Sequence, residues 1–89
     1  MNILILGSGI VGANLAKKLS EQGKSVFLLD DDANELKNLS ERFDIKTIYE
    51  DPLNPSFYKN FDTKIDYFIA VTRSDEKNIT KSYLARKYI

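Results

Sequence analysis

The chain has no cysteine and no histidine among its 89 residues. Their absence excludes disulfide scaffolds, thiol redox chemistry, cysteine nucleophiles, zinc sites of the Cys/His type and imidazole acid–base catalysis. An excess of one charge is missing too. Thirteen Lys and Arg balance thirteen Asp and Glu, so no global field recruits nucleic acid or an anionic membrane. No apolar run is longer than five residues, far short of the roughly 20 that a membrane span needs. The first predicted strand begins within two residues of Met1, so no secretory signal is expected. The two glycosylation sequons, Asn38-Leu39-Ser40 and Asn78-Ile79-Thr80, are then chance matches.

What remains is ordinary for a soluble globular protein, with 43% hydrophobic and 29% charged residues. At this length one small domain, residues 1–89, is the ceiling, and only roughly 60% of the unfolded surface is buried on folding. Ile3–Leu6 is a continuous apolar run without alternation, as a strand covered on both faces requires. Val26–Leu29 and Tyr67–Val71 read the same way. Ile45–Tyr49 is weaker, with Ile45, Thr47 and Tyr49 alternating against Lys46 and Ile48.

Helical patterns lie between these runs. From Ile10 to about Gln22, Val11, Leu15 and Leu19 recur at four-residue spacing. From Asp32 to about Phe43, Leu36, Leu39 and Phe43 share a face, with Asp32 as cap and Glu35 at the capping-box position. Pro52 and Pro55 punctuate a turn before one helical turn over Ser56–Phe61, and Ser74-Asp75-Glu76 opens a last helix. Alternation of this kind predicts an α/β fold: a Rossmann-like parallel sheet of order 3-2-1-4 flanked by helices. The chain stops where that last helix would hand over to a fifth strand. An uncovered parallel edge is costly, so the chain is expected to be the N-terminal part of a longer protein.

The stretch "ILILGSGIVGANLAKKL" carries the chemistry. Gly7 closes a strand, Gly9 sits where backbone must approach a pyrophosphate, and Gly12 lets the helix pack close to the strand. A tight strand-to-helix turn alone would also use glycine. The context favours phosphate binding, because the helix that follows presents free N–H groups and a positive dipole end to an anion. Asp30, 21 positions after Gly9, stands close to the ~20 expected for a carboxylate that accepts the adenosine ribose hydroxyls. Asp30, Asp31 and Asp32 together disfavour NADP(H). A ribose 2′-phosphate would meet like charge worth on the order of 4 kcal/mol at close range, with no arginine beside it in sequence. NAD(H) and ADP or ATP share the adenosine diol and stay open.

On these residues the chain resembles the nucleotide-binding domain of the Trk potassium-uptake regulator family, also called RCK or KTN domains. The resemblance runs over essentially the whole chain. It is carried by "ILGSGIVGANLAKKL", "VFLLDDDANEL", the Asp51 turn in "YEDPLNPSFY", and "IAVTRSDEKNI". The last holds Ala70-Val71-Thr72 and Asp75-Glu76-x-Asn78, a phrase that a generic dehydrogenase has no reason to carry. The resemblance implies a cofactor-binding set of Gly7, Ser8, Gly9, Ile10, Val11 and Gly12 in the turn, with Asp30 and Asp31 at the ribose. It puts Asp51 near the adenine edge and Thr72 and Arg73 at the end of the fourth strand, where a solvated loop arginine is the bland alternative. The chain departs from the family at Glu50, where glycine is usual, and at Pro52-Leu53, where a small residue and Ser or Thr are usual. The departures are expected to reshape the adenine pocket.

Function follows from the same resemblance. It implies a cytoplasmic, homo-oligomeric regulatory domain on the inner face of the cell membrane. That domain would partner a membrane potassium channel or transporter subunit without inserting into the bilayer or binding nucleic acid. No catalytic set and no metal site is assigned, so an enzyme is not expected. Tyr83-x-x-x-Lys87 has the spacing of the short-chain dehydrogenase pair and faces one way on a helix. Its short distance from the glycine turn and the missing upstream serine speak against that role. The alternative from a different class is an N-terminal fragment of an NAD-dependent dehydrogenase whose catalytic half lies downstream.

Overall fold

The computed structural model describes residues 1–7 and 9–71. Ser8, Thr72, Arg73, the helix expected from Ser74 and the Tyr83/Lys87 pair lie outside the described residues. The elements are β1 (Asn2–Leu6), α1 (Ile10–Glu21), β2 (Ser25–Asp30), α2 (Ala33–Arg42), β3 (Lys46–Tyr49), α3 (Pro55–Asn60) and β4 (Tyr67–Ala70). The four strands form one sheet of order β3-β2-β1-β4 with every neighbouring pair parallel, the order that the sequence predicts.

Between their polar end residues Asn2, Ser25 and Asp30 the two central strands are apolar without a break, because both of their faces are covered. Ile3 and Ile5 of β1 stand beside Val26 and Leu28 of β2 and pack under Ala16 of α1 and Leu36 and Leu39 of α2. Leu4, Leu6, Phe27 and Leu29 point to the other face, where Phe57 and Phe61 of the α3 segment cover them. Phe61 meets Phe27 edge-on at 5.8 Å. The start of β4 is tied to the start of β1. The Asn2 amide donates to Asp66 Oδ2 at 2.8 Å, and Asn2 Nδ2 donates to the Lys64 carbonyl at 2.9 Å.

Three local expectations need correction. Val11 does not face the sheet: it is 64% exposed, and Gly12 and Ala16 are the buried residues of α1. Leu15 and Leu19 do pack against the core, from the flanks. In β3 the strand begins at Lys46 and Tyr49 is exposed, while Ile45, just before the strand, packs against the core beneath α1 and α2 as Ile48 packs on the opposite face. Lys46 shares that face and sets its ammonium 4.9 Å from the Phe27 ring centre. Finally, Asp32 Oδ1 accepts the Glu35 amide as a cap should, but the Asp32 amide donates to Asp30 Oδ1. Asp30 thus makes the bond that the capping-box glutamate would have made.

The approach of α1 to β1 explains the first correction. A Cβ built on Gly12 would run into the Gly7 carbonyl oxygen and come within 3.1 Å of Val71 Cγ2. Gly7 itself has φ 106°, a conformation that L side chains rarely adopt. Only small residues can face the strand this closely, so the bulky ones turn aside. Gly12→Ala is expected to lower the unfolding free energy by about 1–3 kcal/mol through overpacking. Asn14→Ala, on the exposed side of the same helix, is expected to stay within about 0.5 kcal/mol. Urea midpoints would measure both, and an unchanged midpoint for Gly12→Ala would mean that α1 lifts off the strand without cost.

Candidate functional site

Parallel strands deliver their carboxyl ends to one edge of the sheet, and the loops that leave them build the site. From β1 comes the glycine turn. Gly7 is buried, and its amide donates to the Leu29 carbonyl at 3.0 Å, which fastens the turn to β2. Gly9 follows as the exposed N-cap of α1, without side chain and without any acidic residue in the first helical turn. Among the described residues, a Cβ built on Gly9 would meet nothing within 4 Å beyond its chain neighbours, so packing against them does not demand this glycine. Ile10 is 79% exposed, an unusual position for a branched apolar residue.

Strand β2 ends in Asp30, which is half-buried, and Asp31 and Asp32 follow, both exposed. These residues meet the glycine turn across a hollow of about 590 Å³ that runs between α1 and α2. Of the residues singled out in the sequence, Gly9, Ile10, Asp30 and Asp31 line it. Gly7, Val11, Gly12 and Asp51 do not. Gly7 and Gly12 lie beneath it as the packed joint between strand and helix.

The hollow also has a wall that sequence reading did not assign. Asn14 lies one turn beyond Ile10 on α1, and Glu35, Leu39 and Arg42 form a stripe along α2 that ends at Phe43. Their spacings of three and four residues are one helix face in each case, so the signal was present in the pattern. Among the described residues, four carboxylates (Asp30, Asp31, Asp32 and Glu35) and one guanidinium, that of Arg42, face this space. Arg42 lies ten residues beyond Asp32, about 15 Å along the helix axis, and its guanidinium sits 5.1 Å from the Phe43 ring centre. The acidic end is therefore not neutralised by Arg42. Among the described residues, no group of three or more His, Cys, Asp or Glu has the geometry to hold a metal ion.

Asp51 belongs to a separate corner. The Glu50 amide donates to the Asp30 carbonyl at 3.1 Å, so the β3–α3 turn begins beside Asp30. Within that turn Asp51 Oδ1 accepts the Leu53 amide at 2.9 Å, and Asn54 Nδ2 donates to Glu50 Oε1 at 2.8 Å. Glu50 is thus engaged by the cap residue of α3, and Pro52 is buried under the turn. Below lies Tyr58, wholly buried, whose hydroxyl donates to the Pro52 carbonyl at 2.7 Å. Burial, and then the charges of Asp51 and Glu50, push this phenol well above its ordinary pKa of 10.0.

The TrkA-N domain profile matches residues 3–88 of the chain. The Trk system potassium uptake protein TrkA of Haemophilus influenzae is 34% identical over 80 residues, 89% of this chain and 18% of that protein. Its counterpart in Halomonas elongata is 35% identical over 86 residues, 96% of this chain and 19% of that protein. The chain therefore spans about a fifth of the length of these relatives. Among solved structures, the NAD(P)-binding domain of an exopolyphosphatase-related protein from Archaeoglobus fulgidus superposes with a TM-score of 0.88. It covers 98% of this chain and 65% of that one at 23% identity, a likeness of fold.

The Tyr58 environment predicts an alkaline signature. The native state keeps a proton on Tyr58 that the unfolded chain releases above about pH 10, so folding binds a proton there and stability falls as pH rises. Wild type is expected to exceed Tyr58→Phe by about 1 kcal/mol at neutral pH, the worth of the satisfied hydroxyl. Above about pH 10 that gap should close by up to about 1.4 kcal/mol per pH unit. Urea denaturation of both proteins from about pH 8 to about pH 11 measures it, and a gap that stays constant would show that the buried hydroxyl titrates normally.

Proposed function

The chain belongs to the TrkA-N domain family, and from that premise we propose that it is a nucleotide-sensing regulatory domain of a potassium channel or uptake system. It binds NAD(H) or ADP/ATP through the adenosine diphosphate that they share, discriminates against NADP(H), and carries out no reaction on the ligand. One observation carries this reading: Gly9, at the uncapped start of α1, and Asp30, at the end of β2, face one hollow at the carboxyl edge of a parallel sheet. The space over Gly9 suits a phosphate, since a Cβ would enter it without touching the described residues beyond its chain neighbours. The helix start supplies N–H donors and the dipole end that an anion prefers.

Each residue has a distinct part in this proposal. The turn Gly7, Ser8, Gly9, Ile10, Val11 and Gly12 holds the phosphates, Asp30 takes the ribose hydroxyls, and Asp31 and Asp32 repel a 2′-phosphate. Asp51 accepts from the exocyclic amine of adenine, and Thr72 and Arg73 complete the cofactor-binding set, Arg73 toward a phosphate or the second half of a dinucleotide. The bound nucleotide acts as a bridge and not as a reactant. By bridging strand ends it favours whichever domain geometry it contacts best, a bias of roughly 1–3 kcal/mol where two sites are coupled. The domain works as a homo-oligomer on the cytoplasmic face of its membrane partner, and no described helix is long and apolar enough to cross a membrane. Membership of the TrkA-N family weighs against the dehydrogenase-fragment alternative, because the TrkA relatives are named for potassium uptake.

Thermal melts of the 89-residue chain with NAD, NADH, ADP, ATP and NADPH test the proposal. A ligand at 100 times its Kd adds about 2.7 kcal/mol, a midpoint rise of roughly 10 °C or more in a domain this small. The rise is expected with the diol ligands and absent with NADPH. Asp30→Ala and Gly9→Ala should each abolish it, and Gly9→Ala should still fold, because its Cβ meets none of the described residues beyond its chain neighbours. A cooperative melt that none of the five ligands moves would refute the sensing site in this chain.

A further inference from the structure

We infer that Tyr58 is a positioning residue: its hydroxyl, acting through one peptide unit, fixes the Asp51 carboxylate in the orientation that reads the adenine base. The inference rests on the nucleotide-site reading above and adds a residue that contacts no ligand. Tyr58 is the wholly buried residue of α3, packed edge-on against Phe57 at 5.2 Å, and Phe57 stacks on Phe61 at 5.1 Å. An aliphatic side chain would fill such a site without a polar atom to satisfy. The phenol instead spends its proton on the Pro52 carbonyl, at 2.7 Å.

That carbonyl and the Leu53 amide are the two ends of one planar peptide unit. The unit is clamped from both sides. Tyr58 Oη holds its oxygen, and Asp51 Oδ1 holds its N–H at 2.9 Å. Rotation of the peptide would break both bonds together, so the ring under the turn and the carboxylate on top of it move as one body. The rest of the turn is pinned as well. The Asn54 amide donates to the Asp51 carbonyl at 3.0 Å, and the Asn54 side chain ties Glu50 to the start of α3. Pro52, which has no amide of its own to bond, gives the turn a carbonyl whose partner lies below, in Tyr58. The Glu50 amide then docks the assembly on the Asp30 carbonyl. The carboxylate proposed for the base is thereby placed at a fixed distance from the carboxylate proposed for the ribose.

The test uses ADP and inosine diphosphate, which differ at the exocyclic amine that Asp51 would accept from. A second ratio, ADP against 2′-deoxy-ADP, reads Asp30 alone. Wild type is expected to prefer ADP to inosine diphosphate by about tenfold, the scale of a hydrogen bond to a charged acceptor. Tyr58→Phe should cut that preference to about threefold or less and leave the deoxy ratio unchanged. Tyr58 replaced by p-aminophenylalanine, which returns an N–H donor to the same place, should restore it. Should Tyr58→Phe fail to melt cooperatively, p-methylphenylalanine at the same position removes the donor while keeping the volume of tyrosine. An unchanged ADP preference in the variant overturns the inference, as does an equal loss of both ratios, which marks a merely structural role. Wild type binding ADP and inosine diphosphate equally also overturns it. Wild type binding none of the three nucleotides would instead refute the nucleotide site itself, and this inference with it.

Discussion

The contact between Gly12 and the Gly7 carbonyl sets the rest of the structure. A helix seated this close to its strand tolerates no side chain at the crossing, and the next inward residue, Ala16, is small as well. Two things follow. The axis of α1 is fixed relative to β1, so its first amides are delivered to the carboxyl edge of the sheet. The bulky residues of its first turn, Ile10 and Val11, are pushed outward. A looser crossing, with valine or leucine in between, would lift the helix start away from the strand end and from Asp30. The close seating of α1 and the placement of its first turn at the sheet edge are thus consequences of one steric constraint.

This constraint also explains how far the sequence could be read. The strands Ile3–Leu6 and Val26–Leu29 were legible because residues covered on both faces need no alternation. The sheet order followed from the alternation of strand and helix. Val11 misled because four-residue spacing identifies a stripe and not its direction, and here the stripe that meets the sheet consists of glycine and alanine, which hydropathy undervalues. Strand β3 misled for a related reason. Lys46 lies on the covered face with its ammonium over Phe27, so the charged residue and Ile48 share a side and a tyrosine points to solvent. Long amphipathic side chains make such exchanges cheap. The Asp30–Asp32 bond was invisible as well, because a capping-box glutamate and a neighbouring aspartate offer the same acceptor to the same amide.

The candidate site shows the same division. That Gly9 and Asp30 come to one hollow was legible by motif, since the spacing expected of a phosphate turn and a ribose carboxylate is set by strand and helix length. The wall supplied by Glu35, Leu39 and Arg42 was not, because its membership depends on how α1 and α2 lie side by side. The Asp51 turn was legible only as a position. That a buried phenol and the Asp51 carboxylate bond the two ends of one peptide unit depends on a contact across six residues, between Tyr58 and Pro52, and hydropathy counts tyrosine in such a place as simple core.

Asp30 ties the candidate site to the neighbouring elements of the fold. Its Oδ1 accepts the Asp32 amide, and Asp32 in turn caps α2 through the Glu35 amide. The carboxylate that would meet a ribose is thereby oriented by the start of the helix it precedes, and its backbone carbonyl receives the Glu50 amide from the next strand. A ligand that pulls on Asp30 therefore pulls on the α2 cap and on the β3–α3 turn together, through bonds of about 3 Å each. Under the proposed sensing role, this sharing would make the group that touches the ligand a member of the elements whose geometry the ligand biases. In this chain the shared group is a single aspartate at the end of the second strand.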